Sequence, residues 1–345
     1  MNNLILLLSN PSINLRLMTL KHFSANKNEI RELESVRIND RFIQDLVNLQ
    51  NENGSWDTIT PLTAVHNNRI ISTSLALSRL GYFGFGKEFP PVNKGAEYLY
   101  SLQKKDGSWP LSKNENDTTG YSMIPLQTSL PLQGLSLCGY ATDSRSEKAY
   151  EWLIGHRLDD GAWPTGIASG VFGYVAGYRR IAQSRWGCRS NTTSVLVCLS
   201  RHPYRKHSPE AYKALDLLLG RTTKESYCLG YEIIRMLGYE TARGFLTFYA
   251  RNDLSLMLDL CARIGVGKDD ERVSDLVNAV EKMKNKNGMW SYASHDKGRT
   301  FPETIDAFVT FDIIKSLSAM PDKSSRIGER PVTPFKAYYK KEKRY

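Results

Sequence analysis

The sequence predicts an all-α protein built from stacked helical hairpins, on three observations. A tryptophan-bearing turn recurs along the chain, the segments between its copies have helical spacing, and alternating β-type runs are few. The 345 residues, of which 41% are hydrophobic and 24% charged, are enough for one large domain or two small ones.

The recurring turn is the strongest feature of the sequence. Its four copies have the sequences QNENGSW (50–56), QKKDGSW (103–109), RLDDGAW (157–163) and KNKNGMW (284–290). The spacings between their tryptophans are 53, 54 and 127 residues, so the last gap predicts one further, degenerate repeat. Such a period is typical of hairpins that stack to bury a shared core.

The residue types of the turn explain how it works. Asn or Asp followed by Gly ends a helix, because Gly adopts a positive φ. The Trp two residues later is large, and its burial would hold the turn against a neighbouring helix. In the first two copies a Gln can hydrogen-bond backbone groups at an adjacent helix end. The predicted structural residues of the repeat are Gln50, Trp56, Gln103, Trp109, Trp163 and Trp290.

Roughly eleven to thirteen helices are predicted, enough for five or six hairpins. The first long one covers 70–80 and stops at Gly81, and another begins at Ser208 as N-cap with Pro209 in its first turn. Further predicted helices cover 12–24, 91–103, 130–138, 147–158, 192–200, 254–264, 270–283 and 304–318.

The turns at 103–109 and 160–163 resemble the QW motif of squalene–hopene cyclases, and the resemblance extends over residues 40–320. It implies an α/α toroid of two concentric helix layers around an apolar cavity, as in terpenoid cyclases and protein prenyltransferase β-subunits. Segments 159–164, 186–193 and 287–290 are similar to uncharacterised single-domain squalene-cyclase-like proteins of prokaryotes. We expect a helical extension (1–40), a toroid (41–325) and a basic tail (326–345).

Class II terpene cyclases use a DxDD motif whose middle acid protonates an alkene, and this requires a carboxyl with a raised pKa in a dry cavity. The nearest stretch, 114–119, keeps Asp117 but has Asn116 at the acid position. The resemblance therefore disfavours a cyclase of that type. It leaves Asp117 as a weak catalytic candidate, with an N-cap or turn role as the alternative.

The sequence contains no motif that predicts a metal site. The resemblance to prenyltransferases implies zinc bound by Asp, Cys and His, but Cys188, Cys228 and His295 do not have that ligand spacing. A DDxxD magnesium motif and the common nucleophile motifs are also absent from the sequence. We expect no metal and no cofactor.

The candidate substrate-binding residues surround an unusual stretch. Residues 170–180 place aromatics among glycines before Arg179 and Arg180, a pattern that suits a cavity lip whose arginines meet a diphosphate. A long surface loop is the alternative. The aromatic face of Trp186 could stabilise a carbocation. Tyr121 and Cys188 complete the predicted set.

The net charge of +10 favours anionic partners. The last twelve residues hold five Lys or Arg, which suits peripheral contact with an anionic membrane, although a solvated tail is the alternative. No nucleic-acid-binding motif accompanies the charge, so we expect no nucleic-acid partner. Five scattered cysteines and the lack of a signal peptide or a long apolar run predict a cytoplasmic protein. The oligomeric state stays open.

These observations predict an isoprenoid- or terpenoid-handling protein, cyclase-like or prenyltransferase-like. Its apolar ligand, with or without a diphosphate group, would occupy a central cavity. A non-catalytic toroid that binds a lipid or a protein is the alternative. A carbohydrate-active toroid is the third hypothesis, and it requires a polar cleft with carboxylates.

Overall fold

The computed structural model describes residues 2–24, 26–57, 69–109, 125–159, 161–163, 188–220, 227–239, 252–293 and 302–325. The predicted all-α class is confirmed. The helices are α1 Asn2–Leu8, α2 Ile13–Phe23, α3 Lys27–Val36, α4 Arg41–Asn48, α5 Arg69–Tyr82, α6 Pro90–Ser101, α7 Pro125–Leu137, α8 Ser144–Gly155, α9 Arg189–Arg201, α10 Pro209–Leu219, α11 Tyr231–Met236, α12 Leu254–Ile264, α13 Glu271–Glu281 and α14 Glu303–Ala319. Two-residue strands, β1 Tyr227–Cys228 and β2 Asn252–Asp253, pair in parallel.

Short polar side chains start many of the helices, as their sequences predict. Ser208 Oγ accepts a hydrogen bond from the amide of Ala211 at 3.2 Å, and Pro209 occupies the first turn of α10. Asp270 caps α13 by accepting from the amide of Arg272 at 2.9 Å. These caps satisfy amides that a helix start leaves without an intrahelical partner.

Within the described residues, the helices form an α/α toroid of five hairpins. The inner layer consists of α5, α7, α9, α12 and α14, which contact one another in that order, and α4, α6, α8, α10 and α13 form the outer layer. The ring closes where the Phe308 ring of α14 meets Phe42 before α5 and Phe83 after it, at centroid distances of 5.7 and 5.8 Å. Burial follows the layers, because α9 is buried from Arg189 to Ser200 whereas α13 buries only Val273 and Val280.

The expected helix stop at Gly81 is wrong. Helix α5 continues through Gly81 to Tyr82, and the positive φ of 76° belongs to Gly84. A Cβ atom at Gly81 would lie 2.5 Å from the Cβ atom of Leu137 in α7. Gly81 is therefore the point where two inner helices approach closely, and its missing side chain serves packing instead of a turn.

Two short helices complete the ring. The Asn3 Nδ2 of α1 donates to the carbonyl oxygen of Gly288 at 2.8 Å, so the N-terminal segment covers the last tryptophan turn. Helix α11 is buried along its whole length and contacts α5, α12 and α14. The ring interior next to α11 is therefore filled with protein. The domain boundaries at 40 and 325 stay a prediction.

Among the described helices, none combines the length and the apolar character needed to cross a lipid bilayer.

Candidate functional site

The four tryptophan turns share one geometry. All four indoles are buried, and the glycine two residues before each has a positive φ of 74–93°. Each indole Nε1 donates at 2.6–2.7 Å to a carbonyl of the preceding outer helix, namely those of Leu46, Leu99, Leu153 and Val280. Each tryptophan amide donates at 2.9–3.3 Å to a threonine Oγ1 of the following inner helix, namely those of Thr73, Thr128, Thr192 and Thr310. Each of the four turns therefore joins an outer helix to the following inner helix by the same pair of hydrogen bonds.

The two glutamines extend this joint to the next outer helix. Gln50 Nε2 donates to the carbonyl of Pro91 in α6 at 2.9 Å, and Gln103 Nε2 donates to that of Arg145 in α8 at 2.9 Å. Both also bond their own turn, at Gly54 and Gly107. The hairpin of α10 and α12, the fourth along the chain, has no tryptophan turn in the described residues, and β1, α11 and β2 lie between its two helices.

A cavity of about 210 Å³ lies at the centre of the ring, and we call it the axial cavity. Every inner helix and α11 contribute to its walls. The apolar part of the lining comes from Leu137, Ile233, Met236 and Leu256. The charged part consists of Arg201, Glu232, Asp259, Arg263, Asp312 and Lys315, with Tyr82 beside them. The resemblance implies an apolar cavity, whereas the axial cavity has three acidic and three basic side chains.

The charges of the axial cavity form pairs along single helices. Arg263 Nε donates to Asp259 Oδ2 at 2.7 Å on α12, and Lys315 Nζ lies 3.9 Å from Asp312 Oδ1 on α14. Glu232 of α11 binds Gln133 Nε2 through Oε1 and Arg235 Nε through Oε2, both at 2.8 Å. An ion pair so deeply buried requires this satisfaction of its oxygens.

Asp312 Oδ1 and the hydroxyl of Tyr82 are poorly satisfied in the axial cavity: their nearest polar groups are each other and Lys315 Nζ, which lies 3.9 Å from Asp312 Oδ1. The Asp312 side chain is only 16% exposed. Poorly satisfied polar atoms in a buried position cost free energy, so their presence here makes the axial cavity a candidate functional site.

The two aspartates have opposite pKa shifts. Burial raises the pKa of Asp312 to about 6, and Asp259 adds to the rise while Lys315 opposes it. Burial acts to raise the pKa of Asp259 too, but Arg263, Lys315 and Arg201 together hold it well below its ordinary value. Burial, with the nearby Asp312, raises the pKa of the Tyr82 hydroxyl. A carboxyl with a raised pKa beside one with a lowered pKa is an arrangement that suits acid–base chemistry.

Most of the substrate-site residues predicted from the sequence lie outside the described residues: Asp117, Tyr121, Arg179, Arg180 and Trp186. Cys188 is described, and it is the half-buried residue before α9, where its amide donates to the carbonyl of Trp163 at 2.7 Å. It does not line the axial cavity. The structure therefore leaves these predicted roles as predictions.

Sequence reasoning missed the axial cavity itself. Its one signal was charge inside apolar helices, Asp259 with Arg263 in LSLMLDLCARI and Asp312 with Lys315 in ETIDAFVTFDIIKSLSA. Among the described residues, no group of three or more His, Cys, Asp or Glu side chains is arranged to hold a metal ion.

No known family model and no curated protein matches this chain. Solved structures do. A protein from Actinoplanes is similar at 14% identity and a TM-score of 0.36, over 84% of this chain and 99% of that one. The type II terpene cyclase MstE from Scytonema is similar at 13% identity and a TM-score of 0.31, over 80% and 94% of the two chains. A variant of MstE in complex with geranylgeranyl dihydroxybenzoate gives 12% identity and a TM-score of 0.34, over 81% and 95%. Such TM-scores mean loose superposition, so the toroid rests on the described helix contacts.

Proposed function

We propose that this protein is a cyclase-like enzyme that protonates an isoprenoid substrate, with Asp312 as the proton donor. The observation that supports it is the Asp312 carboxyl in the axial cavity. Its pKa of about 6 leaves a protonated fraction near neutral pH, and the carboxyl faces the cavity beside Tyr82 and Lys315. This is the property that the DxDD acid of class II cyclases needs, here at another position of the chain.

The proposed step conserves atoms and charge. The O–H bond of Asp312 breaks, and its proton forms a C–H bond with one alkene carbon by taking the π electron pair. The positive charge remains on the other alkene carbon, near the ring of Tyr82 and the carboxylate of Asp259. A second alkene of the substrate then attacks the cation with its π electron pair, which forms the ring C–C bond and moves the positive charge to a further carbon. Loss of a proton from a neighbouring carbon to a carboxylate ends the reaction and forms a new alkene.

The size of the axial cavity limits the proposal. At about 210 Å³ it is below the roughly 300–1,000 Å³ usual for drug-sized ligands. It suits the reacting end of an isoprenoid, and the rest of the molecule would lie beyond the described walls.

Two other functions have a specific observation in their favour. The interior filled by α11 favours a non-catalytic toroid that binds a lipid or a protein. The three carboxylates of the axial cavity meet one requirement of a carbohydrate-active toroid. Both are outcomes of the experiment below.

The test combines native mass spectrometry with turnover in D2O. The probes are isoprenoid alcohols, isoprenoid diphosphates and geranylgeranyl dihydroxybenzoate, with glycosides as a separate arm. We expect the native chain to bind an isoprenoid and to form a cyclised product that has gained one deuterium. Asp312→Asn should bind the same probe but form no product, because the amide has no acidic proton to give.

The matched control is Asp322→Asn, which changes an Asp whose side chain is 93% exposed. It should keep full turnover. Binding without turnover in the native chain would favour the non-catalytic function. Neither binding nor turnover of any isoprenoid, or unchanged turnover in Asp312→Asn, would overturn the proposal.

A further inference from the structure

A second cavity, of about 520 Å³, lies where the N-terminal segment meets the ring. We call it the N-terminal cavity. Its walls come from the starts of α2, α4 and α14, from the end of α11, and from one side chain of α5, Arg79. Met236 lines the axial cavity and Leu237 and Gly238 line the N-terminal cavity, so the end of α11 separates the two.

Arg79 is a buried cation that faces this cavity. It is 6% exposed, and its Nε donates to the carbonyl of Met236 at 2.7 Å. Within the part of the chain that the structure describes, no carboxylate lies within ion-pair distance of its guanidinium. Burial lowers the pKa of Arg79 to about 10, which shows how little the surroundings compensate its charge. A buried charge of this kind is costly unless something pairs with it.

The acids near the N-terminal cavity are otherwise engaged. Asp40 accepts hydrogen bonds from the Ser12 hydroxyl at 2.7 Å, the Asn14 amide at 3.0 Å and the Phe42 amide at 3.1 Å. Its carboxylate therefore serves the starts of α2 and α4. Asp45 is 63% exposed, so water screens its attraction for Arg79.

The start of α14 adds a second set of donors, although its first turn also carries Glu303 and Asp306, which do not line the N-terminal cavity. This 17-residue helix begins after Pro302, and no side chain caps its first amides. Pro302 and Thr304 both line the N-terminal cavity. Uncapped amides at a helix start hydrogen-bond anions, and the helix dipole acts in the same direction.

We propose that the N-terminal cavity binds a phosphate-type oxyanion between the guanidinium of Arg79 and the first amides of α14. A guanidinium offers two parallel N–H donors to such a group. The volume of about 520 Å³ leaves room for an organic substituent on the phosphate. The site is separate from the axial cavity, so it does not depend on the proposed reaction.

The test measures binding of inorganic phosphate and of diphosphate to the full chain by calorimetry, with acetate as a carboxylate probe and chloride at equal ionic strength as reference. We expect saturable binding of phosphate or diphosphate and a rise in melting temperature with their concentration. Tighter binding of diphosphate than of phosphate would indicate a diphosphate ester as the natural ligand. Binding of acetate alone would overturn the proposal.

A matched pair of variants locates the site. Thr304→Glu places a carboxylate at the α14 wall, and Thr304→Gln places a side chain of the same shape without charge. We expect Thr304→Glu to weaken phosphate binding at least tenfold and Thr304→Gln to change it little, because only the former repels an anion. Asp45→Asn removes the nearby negative charge and should tighten binding.

Equal binding in the two Thr304 variants, or no binding of either phosphate probe by the native chain, would overturn the proposal. Arg79→Gln would test the guanidinium directly, but its burial makes unfolding an alternative cause of lost binding. The Thr304 pair avoids that problem. None of these measurements uses turnover, so their failure is distinguishable from failure of the proposed reaction.

Discussion

The tryptophan turns and the axial cavity differ in how completely their buried polar groups are hydrogen-bonded. In the turns, the amide and the indole of every tryptophan have partners, and the same two bonds recur in four places. In the axial cavity, six charged side chains surround a small space, and Asp312 Oδ1 and the Tyr82 hydroxyl are poorly satisfied. Full satisfaction stabilises a fold, whereas polar groups left unsatisfied at the centre cost stability and are typical of functional sites.

This difference predicts how substitutions in each region should affect the stability of the fold. Substitutions in the turns should lower stability in a manner independent of pH, because they remove packing and neutral hydrogen bonds. Substitutions in the axial cavity should change how stability depends on pH, and some of them should raise it.

The largest effect is expected for Trp109→Ala. It empties a fully buried site and removes the indole hydrogen bond to the carbonyl of Leu99, whereas the backbone amide that donates to Thr128 remains. We expect the free energy of unfolding in urea to fall by about 3–5 kcal/mol. Tyr204→Ala is the control, since Tyr204 is 78% exposed and its loss should cost no more than about 0.5 kcal/mol. A loss of unfolding free energy below about 1 kcal/mol in Trp109→Ala would contradict the stabilising role of the turns.

The next largest effect is expected for Asp312→Asn, in the pH dependence of stability. The folded-state pKa of Asp312, about 6, is above its unfolded value of about 3.8, so the folded chain binds the proton more tightly. The titration of Asp312 should therefore contribute a loss of stability as pH rises from about 4 to about 6, by an amount on the order of 2–3 kcal/mol. Asp312→Asn removes this titration and should be the more stable protein above that window. Urea denaturation at several pH values checks it, and parallel stability curves for the two proteins would contradict it.

The smallest change in stability is expected for alanine substitutions at two glycines. Gly107 has a φ of 93°, and a Cβ there would lie 2.4 Å from the carbonyl oxygen of Lys148. Gly155, at the end of α8, has open space around it, since a Cβ there would meet no atom within 4 Å. We expect Gly107→Ala to destabilise by about 1–3 kcal/mol and Gly155→Ala to stabilise by about 0.4–1 kcal/mol. Thermal denaturation of both variants distinguishes a strained turn from an ordinary helix end. Equal shifts in melting temperature would contradict the conclusion that the turn requires glycine.

The turns were predictable because their information is local. A Gly two residues before a Trp, repeated at a constant interval, specifies a helix end and a buried indole. The N-cap at Ser208 and the stop at Gly265, with a φ of 89°, follow from the same short-range chemistry. Gly81 shows the limit of such reasoning, since its role depends on Leu137 of another helix.

The axial cavity was not predictable because its residues have no fixed spacing in the chain. Tyr82, Arg201, Glu232, Asp259 and Asp312 belong to five helices and meet only once the ring has formed. The same holds for Thr128, which lies 19 residues from the tryptophan whose amide it binds. Such partners emerge from the hairpin geometry, and a single sequence shows only that polar residues occupy buried helices.

The most direct test of the proposed chemistry is the protonation state of Asp312 itself. Infrared difference spectra between the native chain and Asp312→Asn isolate the carboxylic C=O stretch of this one side chain at each pH. We expect a protonated carboxyl that titrates with a midpoint near pH 6. An Asp312 that is already fully ionised at pH 5 would contradict the proposal.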